Sequence, residues 1–441
     1  MKTNNMYFRR RAKIAAILTA IQAVGLAGVA QASGYLTEVH TGPAMARAGA
    51  VTATIDDPSA VWHNPAGLTA TEGTYFLGSL TLIRPAARYV GPGFPSTNPN
   101  PGSEVSASAK SPLIPVPAAF VAHALSPKAV VGFGFYVPYG LAMNWENPTQ
   151  FVGRTVSQEA ELRAYFMTPT IALRLSEKVS VALGVSLVPA TVFLKRTVGA
   201  SDNGEVLLRN AAGEEAQVEI SGDAFGVGMT AGVQVSLIDH LALGLVYRSA
   251  IALDFTGNAN FILPSGTPAE IAANFPDQTG SASLTIPHTL NLGAGWKTTD
   301  FTAELSCGIT FWSSTKELAI NFDTGRPSPV SSSPRDWTVA PRVVLSGEYW
   351  LDQIALRAGL GYDVSPVPTD TLDPTLPDSD RVLVSLGAGY NFGTVQVDLA
   401  YLAVLVQERT VTAEDNNKNF AVGTYEASAV HLLSLSAGVK I

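Results

Sequence analysis

Residues 354–363 read IALRAGLGYD, a stretch in which larger apolar residues alternate with small or charged ones. Because the side chains of an extended strand point to its two faces in turn, this stretch predicts a β-strand with one apolar face. The same alternation recurs over 241–255, 395–405 and 433–441. An apolar face opposite a face of small or polar residues is typical of a strand that separates lipid from the lumen of a membrane-embedded barrel.

The composition is consistent with such a barrel. The 441 residues are 46% apolar and only 15% charged, whereas a soluble globular protein has about 25% charged residues. Beyond about the first 30 residues, no stretch approaches the roughly 18–20 apolar residues that a membrane helix needs. Abundant but dispersed apolar residues fit a barrel of alternating strands, although a soluble all-β protein with a large core shares this composition.

The N-terminal residues predict a cleaved signal peptide. Basic residues at 9–11 precede an apolar stretch over 14–30, and a small-x-small site from Ala30 to Ala32 follows. We expect cleavage after Ala32, with a retained membrane anchor as the alternative. The removed segment is basic, so the mature chain is more acidic than the full-length net charge of −8, which argues against nucleic acid as a partner.

Alternating stretches separated by turn-forming residues predict about fourteen strands. The predicted strands are 74–83, 117–125, 130–141, 163–175, 179–196, 217–236, 241–259, 284–296, 301–311, 338–349, 354–364, 382–390, 395–406 and 430–440. Short turns between them alternate with long loops rich in Gly, Pro, Ser, Asn and Asp, notably 84–116, 197–216, 260–283, 312–337, 365–381 and 407–429. This plan predicts an all-β, antiparallel transmembrane barrel over 74–441 in a Gram-negative outer membrane, with both termini periplasmic.

Residues 33–73 do not follow the alternation. They are rich in Gly and Ala, carry few charges and include apolar residues such as Trp62 and Leu68. A segment ahead of the first strand either hangs in the periplasm or folds into the lumen, and its apolar residues favour a packed position. We therefore expect residues 33–73 to form a plug, or hatch, inside the barrel.

Cys307 is the only cysteine, so no intramolecular disulfide can form and a cysteine-rich metal site is excluded. A closed sheet is then the expected source of stability for this exported chain. We expect neither a metal ion nor a cofactor.

Motifs along the whole mature chain resemble the FadL-type transporters of the outer membrane. In the N-terminal segment they are Ser33-Gly34-Tyr35, Ala46-Arg47-Ala48-Gly49-Ala50 and the run from Asp56 to Leu68. In the barrel they include Pro138-Tyr139-Gly140-Leu141, Phe151-Val152-Gly153-Arg154, Tyr247-Arg248-Ser249 and the run from Leu376 to Arg381. One departure is the terminal Ile441, where outer-membrane barrels usually end in an aromatic residue.

The resemblance implies a monomeric, fourteen-stranded barrel with an N-terminal hatch, inserted into outer-membrane lipid by the barrel-assembly machinery. In that family a hydrophobic ligand is captured among the outer loops and moves to an apolar pocket in the lumen. It then leaves sideways through an opening in the wall where the third strand is kinked. The implied ligand is a long-chain fatty acid or another hydrophobic molecule, with aromatic hydrocarbons as the alternative.

Pro138 supports this reading on chemical grounds, because it falls inside the predicted third strand. Proline cannot donate to the ladder, and Gly140 nearby weakens pairing further. Lateral exit requires a break in the wall of this kind, whereas a plain strand end is the alternative. The resemblance would also place the turn at 64–66 against the kink, or that turn is purely structural. The hatch and gating candidates are Asn64, Pro65, Ala66, Pro138, Tyr139 and Gly140.

A ligand carboxylate needs a positive partner, ideally a bidentate arginine. Arg196, near the end of the predicted fifth strand, and Arg335, just before the tenth, stand where the family keeps basic residues near its pocket. An exposed loop arginine is the alternative for both. The ligand-binding candidates are Ser33, Gly34, Tyr35, Arg196, Arg335 and Asp363.

Three other functions compete with passive uptake. A general aqueous porin requires an open, charged lumen, which the hatch and small inner residues such as Gly359 and Gly361 oppose. An outer-membrane enzyme such as a phospholipase requires a catalytic grouping, but the six histidines are scattered and His63 has no partner visible in the sequence. We therefore expect no enzyme activity. An adhesive or structural barrel that depends on its outer loops stays open as an alternative.

Overall fold

The computed structural model describes residues 34–92, 104–147, 151–198, 208–324, 330–419 and 422–441. The predicted signal peptide and the candidate Ser33 lie outside these ranges. Within them, no helix combines the length and the apolar character that crossing a membrane would take.

Fourteen antiparallel strands of the described chain pair in sequence order, and the first pairs with the last, so the sheet closes. They are β1 (Thr74–Arg84), β2 (Ile114–Ser126), β3 (Ala129–Asn144), β4 (Glu159–Arg174), β5 (Val179–Thr197), β6 (Gln217–Ile238), β7 (Leu241–Arg248 and Ile251–Ile262), β8 (Gln278–Ile286 and Thr289–Lys297), β9 (Phe301–Phe311 and Glu317–Phe322), β10 (Val330–Pro334 and Val339–Leu351), β11 (Ile354–Asp363), β12 (Arg381–Asn391), β13 (Val395–Val406) and β14 (Ser428–Lys440). At the seam, Thr74 and Ile441 exchange two backbone hydrogen bonds of 3.0 and 2.8 Å. The predicted all-β barrel is confirmed.

Helical structure is short and lies outside these strands. The α-helices are α1 (Gly42–Ala46), α2 (Ala60–His63) and α3 (Ala269–Ala272). The 3₁₀ turns are Pro65–Ala70, Val152–Thr155, Trp312–Ser314, Thr369–Thr371 and Ala413–Asp415. In the outer loops, four short strands pair into a separate sheet: Arg88–Pro92, Glu104–Ser108, Arg409–Val411 and Gly423–Tyr425. All four strands fall in predicted loops, because three to five residues are too few to display an alternation.

The strands expose apolar residues and bury small or polar ones. In β11 the residues at even positions are exposed and those at odd positions are buried, with Leu360 58% exposed and Arg357 only 5%. Leu345 of β10, Leu386 of β12 and Leu435 of β14 are exposed in the same way. A belt of exposed leucine would be costly in water, and it is the surface that a bilayer requires.

The alternation reverses its phase within β7. Leu245 and Tyr247 are exposed, whereas Leu253 and Phe255 are buried, although all four occupy odd positions. The outward apolar face predicted for the whole of 241–255 therefore extends only to Tyr247. Beyond it, residues of lipid-facing character point into the lumen instead.

A one-residue shift of register explains the reversal. Thr230 of β6 lies opposite Arg248, but Asp223 lies opposite Thr256, so β7 contains one more residue between these two pairs than β6 does. The extra residue falls at the interruption between the two segments of β7. A shift of one residue turns every later side chain to the other face of the sheet.

The N-terminal segment, which we define as residues 34–73, lies against the inner face of the barrel. Almost all of its residues are buried. The small residues of the wall provide the room: a Cβ at Gly359 would lie 2.6 Å from the Arg47 carbonyl carbon, and one at Gly293 would lie 2.9 Å from Ala53 N. The position of the segment is consistent with the predicted plug.

Candidate functional site

Strand β3 loses its pairing with β2 at its midpoint, while it stays paired with β4 from Tyr139 to Asn144. Its pairing with β2 runs from Ala129 to Phe135, and the described residues show no pairing with β2 beyond Phe135. The register with β4 shifts by one residue between Tyr136 and Tyr139, on either side of Pro138. All side chains from 136 to 141 are buried, so the alternation is lost there and both faces of the strand are covered. This is the position at which the sequence predicts a break.

The N-terminal segment takes up the backbone groups of β3 at this position. Leu36 forms an antiparallel bridge with Tyr139. Thr37 N donates to the Pro138 carbonyl over 2.6 Å, and Gly140 N donates to the Tyr35 carbonyl over 2.9 Å. Buried backbone groups need partners, so these contacts stabilise β3 where its pairing with β2 has ended. The structure thus brings Tyr35 together with Pro138, Tyr139 and Gly140.

Asn64, Pro65 and Ala66 begin the 3₁₀ turn Pro65–Ala70, which packs against β3, β4, β5 and β6. Asn64 Nδ2 donates to the Thr52 carbonyl over 2.8 Å and to the Val233 carbonyl of β6 over 3.1 Å. Asn64 Oδ1 accepts from Ala66 N at 3.2 Å and so caps the following 3₁₀ turn. The turn fastens the segment to β6, and the backbone hydrogen bonds to the kink come from Tyr35 and Thr37 instead.

Two prolines occupy the edge of β2 that faces the break. Ala124 N donates to the Gly73 carbonyl on the β1 side over 2.9 Å. Because successive residues of a strand direct their N–H groups to opposite neighbours, Pro115 and Pro117 direct their nitrogens towards β3. Proline has no N–H, so this edge lacks two of the donors that would pair it with β3. Neither proline is among the predicted gating residues, because Pro115 falls in the predicted loop 84–116 and Pro117 at the first position of the predicted strand 117–125.

An aromatic cluster fills the lumen beside Tyr139. The ring of Tyr35 lies 4.6 Å from that of Trp312, 5.8 Å from that of Trp337 and 6.2 Å from that of Tyr139. Tyr139 also stacks on Phe166 at 5.9 Å. All five side chains are buried, and Leu253 and Phe255, which the register shift of β7 turns inward, belong to the same cluster.

The polar atoms of this cluster are few and weakly engaged. Within the described residues, Trp312 Nε1 and Trp337 Nε1 are buried without a hydrogen-bond partner. Burial raises the pKa of Tyr35 well above its ordinary value, so the phenol stays neutral. A lining of this kind suits an apolar chain or ring and offers a few donors to a polar end group.

Arg196 and Arg335 lie at one small cavity of about 30 Å³, together with Leu194, Leu318 and Ile320. The structure therefore unites the two arginines that the sequence predicts as ligand partners. Arg335 forms an ion pair with Asp373, and both side chains are buried, so the chain itself compensates this charge. Asp373 is not among the predicted site residues, because it lies in a different long loop from Arg335.

Gly34 and Asp363 sit near the ends of strands β9 to β12. Gly34 N donates to Asp378 Oδ2 at 3.3 Å, and a Cβ at Gly34 would lie 2.7 Å from the Trp312 ring. Asp363 is buried, with Arg342 and Arg381 opposite it in the two neighbouring strands. It does not line the cavity of Arg196 and Arg335.

Comparison with known proteins agrees with this architecture. A family model described as outer membrane protein transport protein (OMPP1/FadL/TodX) matches residues 23–439. The long-chain fatty acid transport protein of Salmonella typhi is 26% identical over 398 residues, which cover 84% of this chain and 87% of that protein. The 47 kDa outer membrane protein of Pasteurella multocida is 29% identical over 406 residues, or 88% of this chain and 91% of that protein.

Solved structures share the fold. The crystal structure of a Pseudomonas aeruginosa FadL homologue superposes with a TM-score of 0.78 at 21% identity, over 92% of this chain and 99% of that chain. The Pseudomonas putida toluene transporter TodX gives a TM-score of 0.71 at 16% identity, with the same coverage. Because the family model spans nearly the whole sequence, the chain belongs to the outer membrane protein transport protein family (OMPP1/FadL/TodX).

Proposed function

We propose that this protein carries long-chain fatty acids or other hydrophobic molecules passively into the cell across the outer membrane, and that it is not an enzyme. The break between β2 and β3, beside a buried aromatic cluster, is the observation that carries the proposal. A hydrophobic molecule inside a barrel gains free energy by passing into lipid instead of water. A gap in the wall offers that route directly.

The route would begin among the outer loops and continue to the lumen cluster around Tyr35 and Tyr139. Arg196 and Arg335 would receive a polar end group at the edge of that cluster. The ligand would then leave between β2 and β3, once the N-terminal segment, acting as the hatch, releases β3. The seam between Thr74 and Ile441 lies at the rim of short turns. For that reason we place both chain ends in the periplasm.

Relatives named for long-chain fatty acid transport and for toluene transport make both ligand classes candidates here. We further propose that the barrel acts as a monomer in outer-membrane lipid after insertion by the barrel-assembly machinery. Co-purifying ligands, extracted and identified by mass spectrometry, would separate the two classes.

A liposome assay tests the proposal against an aqueous porin. Purified protein, reconstituted into liposomes, should deliver radiolabelled oleate or toluene to a trapped acceptor faster than empty liposomes do. The same preparation in a planar bilayer should show little steady ion conductance, because the N-terminal segment fills the lumen. Large, stable conductance without ligand delivery would contradict the proposal and favour the porin.

A further inference from the structure

Six arginine side chains are buried in the described part of the barrel, and five of them have a carboxylate oxygen within 3.8 Å. The five are Arg47 with Glu304, Arg154 with Glu215, Arg335 with Asp373, Arg357 with Glu348 and Asp398, and Arg381 with Asp378. The sixth, Arg248, is 7% exposed and forms no ion pair with any described residue. A buried cation without a counter-ion is costly, and the other five show how this barrel ordinarily avoids that cost.

Neutral groups hold Arg248 in place. Its Nη2 donates to the backbone carbonyl of Trp62, and its Nη1 donates to Thr289 Oγ1 over 3.3 Å. The guanidinium carbon lies 3.9 Å above the Trp62 ring. Its Nε has no hydrogen-bond partner among the described residues. The site therefore offers a positive charge and an open donor and supplies no negative charge of its own.

Arg248 also lies close to the break in the wall. The ring of Trp62, which it covers, is 5.4 Å from that of Tyr136, the first residue of β3 beyond its pairing with β2. His40, 5.3 Å from the same Trp62 ring, is buried, and burial lowers its pKa to about 3. Burial likewise lowers the pKa of His63 well below its ordinary value. Both imidazoles are therefore neutral and add no charge beside Arg248, and Arg47, which also acts on His63, is paired with Glu304.

We propose that Arg248 is a binding site for the carboxylate of an anionic amphiphile on its way from the aromatic cluster to the break. Nε and Nη2 point to the same side of a guanidinium, so together they form the fork that a carboxylate fits. Nε is open, and Nη2 is held by a neutral carbonyl, which a carboxylate displaces because charge-assisted hydrogen bonds are stronger. This inference rests on the proposed function and narrows its ligand to ionised fatty acids.

The displacement has a mechanical consequence. Trp62 belongs to α2 of the N-terminal segment, so a carboxylate at Arg248 breaks a hydrogen bond between that segment and β7. The ligand would thereby loosen the segment next to the place where it must leave the barrel. A neutral hydrocarbon of the same size fills the lumen but has no means of replacing the carbonyl of Trp62.

Binding measurements on the purified full-length barrel test this site. The ligands are oleate at pH 8, oleyl alcohol with the same chain, and toluene. Arg248→Gln should weaken oleate binding on the order of 10-fold or more, since a charge-assisted pair is lost, and leave the other two ligands unchanged. Arg248→Lys, which keeps the charge but lacks the fork, should recover only part of the oleate affinity that Arg248→Gln loses. Arg84→Gln, which removes an exposed arginine at the end of β1, is the matched control and should change nothing.

The outcomes are distinguishable. If Arg248→Gln binds oleate as tightly as the wild type, or loses oleate and oleyl alcohol equally, there is no carboxylate site and this inference alone fails. If the wild type binds none of the three ligands, the proposed function fails and this inference fails with it. The heat-dependent band shift of a folded barrel in gel electrophoresis confirms that each variant is assembled before it is compared.

Discussion

Single side chains of the wall hold the backbone of the N-terminal segment. Glu304 of β9 accepts hydrogen bonds from Ala53 N at 3.0 Å and from Thr54 Oγ1 at 2.6 Å. Ser385 of β12 donates to the Ala46 carbonyl over 2.9 Å. Each such hydrogen bond contributes on the order of 1 kcal/mol to the docking of the segment inside the barrel. The free energy of docking is therefore a sum of many small contributions, and the loss of one of them is measurable.

Asp57, a half-buried residue of the segment, makes this docking depend on pH. Burial raises the pKa of Asp57 to about 6, against two hydrogen bonds from Ser59 that favour the ionised form. A carboxyl whose pKa is raised in the docked state binds its proton more tightly there. Docking is therefore strongest below the ordinary pKa of about 4 and weakens as the pH rises from about 4 to about 6.

We expect the protection of the N-terminal segment against protease to fall over that pH range in the purified barrel. Asp57→Asn removes the titrating group, so its protection should stay level. Glu414→Gln, which changes an exposed outer-loop carboxylate, should keep the wild-type profile. A fall that persists unchanged in Asp57→Asn would assign the pH dependence to another group.

For single residues, the sequence predicts a role only where that role follows from the chemistry of the residue itself. Pro138 is recognisable because a proline inside a strand conflicts with the ladder, and the structure places a register shift there. Arg248 and Asp373 are not recognisable in this way. Their roles depend on which side chains of distant strands and loops meet across the lumen, and an alternation along one strand carries no information about that.

Whole strands likewise have features that the sequence predicts and features that depend on pairing with other strands. In β11 the alternation predicts both the strand and its two faces, since the strand is uninterrupted. In β7 the alternation predicts the strand, but it does not predict which residues beyond 250 face the lumen. The reason is that apolar residues continue at odd positions on both sides of the interruption at 249–250. The inward apolar lining that results from this shift is visible only once the strand is paired with β6.

The two prolines on the edge of β2 that faces β3 lead to a prediction about the pairing of whole strands. Pro115→Val with Pro117→Val restores two N–H donors on the side facing β3. We expect the upper part of β2 to gain pairing partners and the gap to narrow, so that ligand uptake into liposomes falls several-fold. Hydrogen exchange should show slow amides at 115 and 117. Pro138→Ala tests the opposite edge and should also lower uptake while the barrel still assembles.

Pro341→Ala is the control for both variants, because Pro341 lies in a regular part of the β10 ladder opposite Ile309. Its uptake should equal that of the wild type. Unchanged uptake in the double variant, with fast exchange at 115 and 117, would mean that something other than missing donors keeps the two strands apart.

The whole molecule combines a closed wall with a filled lumen. The belt of exposed leucines fixes the barrel in lipid, and the small inner residues make room for the N-terminal segment. The N-terminal segment supplies hydrogen-bond partners to the backbone of β3 where the pairing of β3 with β2 has ended. The segment therefore covers the place at which these two strands separate. If ligands leave between β2 and β3, as we propose, the segment must move relative to β3, and preventing that movement tests the proposal.

A reversible disulfide between the N-terminal segment and β3 would prevent this movement. Leu36 and Tyr139 are directly opposite, and the hydrogen bonds flank them without joining them. In such a pair the Cα atoms are about 4.5 Å apart, which is within the range of a disulfide. We therefore choose Leu36→Cys with Tyr139→Cys, in a Cys307→Ser background that removes the one native thiol.

The oxidised double variant should assemble normally and take up ligand at least several-fold more slowly than the same protein after reduction. Each single cysteine variant, treated with the same oxidant, corrects for the loss of the Leu36 or Tyr139 side chain. Only the double variant should respond to reduction, because only there does the disulfide hold the segment on β3. Equal uptake before and after reduction would show that ligands leave the barrel while the segment stays in place.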